Sequence, residues 1–137
     1  MPVLPVTDIQ PRIRTQQITI QAGQSLSNYV DLLGCSVVAI FMPSAWTAAA
    51  LTFQHSPFDP ADNGNYTQFN EVWKDSGANS GAVYEISSAA ATAGQTILVS
   101  PLDFEGLRFL KIRSGTVGAA VNQAANAVIT LICKPVS

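Results

Sequence analysis

The sequence predicts an all-β protein. It reads as an antiparallel β-sandwich, jelly-roll-like, of about eight to nine strands, with an extended N-terminal arm. Three observations carry this. Short apolar or alternating runs recur at roughly 8–15-residue spacing, close to the period of a sandwich or jelly roll. Gly, Pro, Asn-Gly and Ser-Gly turn signals fill the gaps between them. No segment repeats apolar residues at the helical period over a useful length.

The elements follow in order. Met1–Gln16 carries Pro2, Pro5 and Pro11 with Arg12 and Arg14. Proline removes a donor and favours extended backbone, so residues 1–16 read as the arm and residues 17–137 as one sandwich domain. Ile18-Thr19-Ile20 is a strand closed by a Gly23 turn, and Leu26 to Val30 is a second. Cys35 to Met42 is a continuous apolar run stopped by Pro43, the pattern of a strand buried on both faces. Leu51 to Ser56 alternates, with Leu51 and Phe53 on one face. Phe58 to Asn65 is a polar loop with an Asn63-Gly64 turn. Tyr66 to Lys74 is a strand whose apolar positions change phase, which a bulge reconciles. Val83 to Ser87 places Tyr84 and Ile86 together, Ala89 to Gly94 is a loop, and Thr96 to Ser100 ends at Pro101. Leu107 to Arg113 has Leu110 and Ile112 on one side and Phe109, Lys111 and Arg113 on the other. Val117–Ala127 is Ala-rich but carries Gly118 and Asn residues, and reads as loop. Val128 to Cys133 is the last strand. An immunoglobulin topology is the rival, since Trp46 and Trp73 lie between Cys35 and Cys133. The cysteines are about 100 residues apart, too far for that pattern.

Composition narrows the function classes. A chain of 137 residues buries roughly two-thirds of its unfolded surface and holds a core without staples. Only 12% of residues are charged, against about 25% in ordinary domains. With seven Lys+Arg against nine Asp+Glu there is no basic stripe to neutralise phosphates, so no nucleic-acid partner is expected. No apolar run reaches the roughly 18 residues of a membrane span, and Met1 to Val6 lacks a signal-peptide pattern. No membrane partner is expected, and folding in a cytoplasm is. Ser, Thr, Asn and Gln together number 38 and Ala 18, against 16 charged residues. An uncharged, small-residue exterior desolvates cheaply and suits a subunit that packs against other protein.

Chemistry-bearing constellations are sparse. The single histidine, His55, cannot build a multi-histidine metal site, and no Gly-x-Ser-x-Gly elbow accompanies it. Cys35 and Cys133 lie in apolar runs and default to free thiols, with a disulfide left open. Asp59 to Asn65 offers calcium-type oxygens but lacks the distal Glu of an EF-hand, Asn70 standing in its place. Asp103 and Glu105 are a loop pair whose convergence on a cleft the sequence does not establish. Gly115 and Gly118 lack the Lys-Ser/Thr of a phosphate loop. No catalytic, cofactor-binding or metal residue is assigned, no cofactor is expected, and the protein reads as a non-enzyme. Lys111 and Arg113, with Arg108 near, form the densest basic cluster. A solvated face is the bland reading, and a salt bridge to a neighbouring subunit the sharper one.

Gly23-Gln24-Ser25-Leu26-Ser27, Met42-Pro43-Ser44-Ala45-Trp46-Thr47, Leu51-Thr52-Phe53-Gln54, Lys111-Ile112-Arg113-Ser114-Gly115-Thr116 and Gln123-Ala124-Ala125 resemble a group of small tailed-phage and prophage virion proteins. By size and expected fold the chain is similar to capsid decoration, or cement, proteins. The resemblance implies a non-enzymatic structural protein on the outer capsid surface of a virion, assembled in the host cytoplasm. It implies the major capsid protein and further copies of itself, as a homotrimer, for partners. It transfers no catalytic residue. The candidate capsid or subunit contacts are Arg12 and Arg14 on the arm, Trp46 after Pro43, and Lys111 and Arg113, because Trp and Arg dominate interface hot spots. The alternative is a carbohydrate-binding sandwich on a phage head or tail fibre, with Tyr66, Trp73 and Tyr84 as exposed rings.

Overall fold

The computed structural model describes residues 13–61, 68–75 and 81–135. Along the chain they form β1 (Arg14–Ile20), β2 (Val30–Asp31), β3 (Cys35–Phe41), β4 (Leu51–Ser56), β5 (Asn70–Glu71), β6 (Trp73–Lys74), β7 (Ala82–Val83), β8 (Glu85–Ile86), β9 (Thr96–Leu98), α1 (Pro101–Phe104), β10 (Phe109–Ser114) and β11 (Ala127–Pro135). A four-stranded sheet runs β1-β11-β3-β9. A five-stranded sheet runs β2-β10-β4-β5, with β8 also pairing β4. All the pairings are antiparallel, and β6 and β7 form a separate ribbon. The protein is an all-β sandwich.

The inner faces of the two sheets meet in one core. Ile18, Ile20, Val37, Ile40, Ile129 and Leu131 of the first sheet join Leu51, Phe53, Ile86, Leu110 and Ile112 of the second. Each such side chain, fully buried, contributes about 1.5–3 kcal/mol. Alternation along β4, β10 and β11 brings this about, since every second residue points inward. On β3 the alternation is broken. The register shifts between Ile132 and Cys133, which face Ala39 and Val37, so Val38 has no opposite number on β11. That bulge lets Val37 and Ile40 both face the core although they lie three positions apart.

Several expectations need correction. The arm does not extend to Gln16, because β1 begins at Arg14 and pairs with β11 from Arg14↔Cys133 through Gln16↔Leu131. Polar side chains at Thr15, Gln16 and Gln17 hid a strand whose ladder hydrogen bonds need no apolar residue. Residues 1–12, Arg12 among them, lie outside the described residues. The run from Leu26 to Val30 yields only an isolated bridge, Leu26 to Arg113, and the short β2. The run from Cys35 is buried on both faces as far as Ile40, but Phe41 is exposed. At the Ser36 end the second face is covered because the Ser36 hydroxyl donates to the Pro101 carbonyl. The segment ending at Lys74 breaks at Val72, where the chain leaves β4 to pair with β7. Pro101 does not end structure but opens α1, since its missing N–H costs nothing in a helix's first turn. The turn persists because it drops Phe104 into the core, edge-on to Phe53 at 5.5 Å and to Tyr84 at 5.7 Å.

Candidate functional site

The groups that could do chemistry are each tied up. The His55 ring is partly buried, and its Nε2 accepts the Arg108 N–H at 3.0 Å. Burial holds its pKa below the ordinary value, so it sits neutral with an occupied acceptor. Both cysteines are free and buried. Burial first, and the neighbouring Cys35 second, push the Cys133 thiol up to about 11, far from a reactive thiolate. The Asp59 carboxylate accepts the Ala61 N–H at 2.8 Å, an ordinary Asx turn, and 62–67 lie outside the described residues. Among the described residues no three His, Cys, Asp or Glu side chains converge as metal ligands would. Also among them, no helix is long and apolar enough to cross a membrane.

The candidate contacts do not fall on one surface. Arg14 is exposed at the start of β1. Trp46 is half-buried, packed against the core from the loop between β3 and β4. Its indole Nε1 is buried and finds no acceptor among the described residues. The loop is clamped by Gln123, whose Oε1 accepts the Thr47 N–H at 2.8 Å and whose Nε2 donates to the Thr47 carbonyl at 3.1 Å. Met42 to Thr47 and Gln123 to Ala125, far apart in the sequence, therefore meet in space. Within that segment the sequence assigns Gln123 no role of its own; it is fully buried, and only its partner identifies what it does.

Lys111 and Arg113 do share the outer face of the five-stranded sheet, but that face is covered. Arg113 is only 9% exposed. Its guanidinium donates to both oxygens of Glu71, at 2.6 and 2.8 Å, and the Gln54 amide donates to the same carboxylate at 2.7 Å. The Arg113 hydrogen bond, and then that of Gln54, hold the Glu71 pKa below the usual range against the opposing effect of burial. Arg113 is thus corrected from a candidate intersubunit contact to half of an internal ion pair. It ties β10 to β5 across β4. Lys111 lies with its ammonium 4.5 Å from the Phe69 ring centre, and Tyr29 packs on Phe109 and Phe69.

The opposite side of the sandwich is different. On the outer face of the four-stranded sheet, Leu98 pairs with Ala39, Ala39 with Ile132, and Ile132 with Thr15. The next row runs Thr96, Phe41, Thr130 and Gln17, and Val128 and Thr19 follow. These rows contain no ionisable group; the row beyond Ile132 carries Lys134, exposed and paired with Ser36. Leu98 is 84% exposed, Phe41 53%, and Val128 is exposed beside them. Neutral, β-branched and apolar side chains facing outward together make a surface that costs little to desolvate. Alternation is legible strand by strand, but only the strand order assembles the surface.

Of the rings considered for sugar binding, Trp73 is 59% exposed on the β6–β7 ribbon. Tyr84 is packed against Phe53 and Phe104, and burial with the nearby Asp103 pushes its hydroxyl up to about 12. Tyr66 lies outside the described residues. Comparison of the chain with models of known families, with curated proteins and with solved structures finds no match.

Proposed function

We propose that this protein is a non-enzymatic structural subunit of a tailed-phage virion, a decoration protein that binds the major capsid protein on the outer capsid surface and braces the shell. The observation that carries the reading is the outer face of the four-stranded sheet, uncharged from the Leu98 row to the Val128 row with Leu98, Phe41 and Val128 exposed on it, and charged only at its Lys134 end among the described residues. Such a face is cheap to desolvate and gains from being covered. Its topology supports the same reading. We read the strand orders β1-β11-β3-β9 and β2-β10-β4-β5, with β1 through β4 alternating between the sheets, as the interleaving of a jelly roll, a fold that capsid proteins use. A homo-oligomer, a trimer in the form the resemblance implies, presents identical weak contacts to a symmetric shell and binds by effective concentration.

The test is particle binding. The purified chain is mixed with undecorated heads of the phage that encodes it, and the complex is imaged by cryo-electron microscopy. Ordered density at symmetric positions outside the shell is the expected result. Heads that stay bare at saturating protein overturn the proposal. The exposed Trp73 favours a second reading, a carbohydrate-binding module, which a glycan array checks directly.

A further inference from the structure

The edges of the two sheets are unequal. Strands β2 and β5 have two residues each and β9 has three. Short edge strands are a standard protection against pairing with other chains. Strand β1 is also an edge, and it has seven residues. It carries no bulge against β11, no proline, no acidic residue and no lysine. Along an antiparallel strand, backbone groups point alternately toward and away from the neighbour. The Thr19 N–H donates to the Asn28 side chain at 3.2 Å, so Thr19, Gln17 and Thr15 turn their N–H and C=O groups away from β11. Asn28 closes the Thr19 end. The N–H groups of Thr15 and Gln17 find no partner among the described residues, and both side chains are exposed.

We propose that β1 pairs antiparallel with β1 of a second copy of this chain, about a two-fold axis at Gln16. The register is self-complementary. Thr15 stands opposite Gln17 of the second copy, so their outward N–H and C=O groups bond in both directions. Arg14 stands opposite Ile18 of the second copy, which keeps the two guanidiniums apart. The Asn28 cap on Thr19 is left in place. The result is one continuous eight-stranded sheet whose neutral outer faces run together. An isologous contact of this kind closes on itself and stops at two copies. The inference stands apart from the capsid reading, since it needs only the chain itself.

Sedimentation velocity of the full chain tests it. The wild-type mass is expected to be that of a dimer, or of a hexamer if a threefold contact adds to the two-fold. Gln17→Pro removes an edge N–H that β11 does not use, so the ladder survives while pairing is blocked. The expected readout is a twofold fall in mass with unchanged far-ultraviolet circular dichroism. Amide hydrogen exchange on the wild type decides the matter if the variant fails to fold. Thr15 and Gln17 should be protected at high concentration and lose protection on dilution. A wild-type monomer, a trimer or dimer insensitive to Gln17→Pro, or Thr15 and Gln17 amides unprotected at every concentration each overturn it. A trimer that still decorates heads would remove this inference and leave the capsid proposal standing.

Discussion

The outer face of the five-stranded sheet is roofed and ion-paired, whereas the outer face of the four-stranded sheet is bare and mostly neutral. On the first, Tyr29 and Phe69 lie over Phe109 and Lys111, and Glu71 closes on Arg113. On the second, Phe41, Leu98 and Val128 stand exposed with threonines between them. Both sheets bury their inner faces equally well, so the difference is not about forming a core. The roofed face uses charge internally, as a clasp for the two-residue β5. The bare face carries its charge, Lys134, at one end and none across its middle rows. One side of the sandwich is finished by its own chain, and the other is the side that the proposed function has a partner cover.

The largest effect should come from opening the roofed face. Glu71→Ala leaves the Arg113 guanidinium mostly buried with only the Thr52 hydroxyl near it, at 3.4 Å. Removing one partner of a buried pair costs several kcal/mol because the other charge is stranded. The partial exposure of Glu71 places the cost at the low end, about 3 kcal/mol by urea denaturation. A loss under about 0.5 kcal/mol would show that the pair is solvated, and the two faces would then be alike.

A smaller effect separates the faces by pH. The Glu71 pKa is lowered in the folded protein, so its contribution is present above the ordinary carboxylate range and is lost as pH falls through the folded value. The His55 pKa is also lowered, by burial. The neutral ring is therefore favoured in the fold, and its contribution is present above 6.5 and lost as pH falls from there toward the folded value. Melting temperature should decline first through the histidine window and again through the carboxylate window. Glu71→Gln should flatten the second decline and leave the first. His55→Gln should do the reverse. The bare face has no ionisable group in its middle rows and should add nothing to either step.

What the sequence revealed follows the same division. Leu51 and Phe53, and Leu110 and Ile112, announced β4 and β10 because their alternation is local and is also their burial. Arg113 was misplaced because its partner, Glu71, lies 42 residues away and reaches it only once β5 has paired with β4. Strand β1 was cut short because Arg14, Thr15 and Gln16 carry no apolar signal, and their place in the sheet comes from β11 at the far end of the chain. α1 was missed because one helical turn has no period to read. The low charge content did foreshadow a neutral exterior, but composition has no direction. Pairing set the neutral residues on one side.

The smallest effect on stability is expected where the effect on assembly should be greatest. Leu98 is 84% exposed at the centre of no core, on the three-residue edge strand β9. Leu98→Lys therefore removes little buried area, and a surface substitution of this kind changes stability by about 0.5 kcal/mol or less. If the face is covered by another protein in use, the same lysine must be desolvated there without a partner, which costs far more than the leucine it replaces. Folding stability should stay level while head binding falls at least tenfold. Leu98→Met keeps the face apolar and should preserve both. If Leu98→Lys instead lowers stability by 2 kcal/mol or so, a change of that size needs one of the buried-group mechanisms. The face would then be closed by the chain itself, and the contrast between the two sides would disappear.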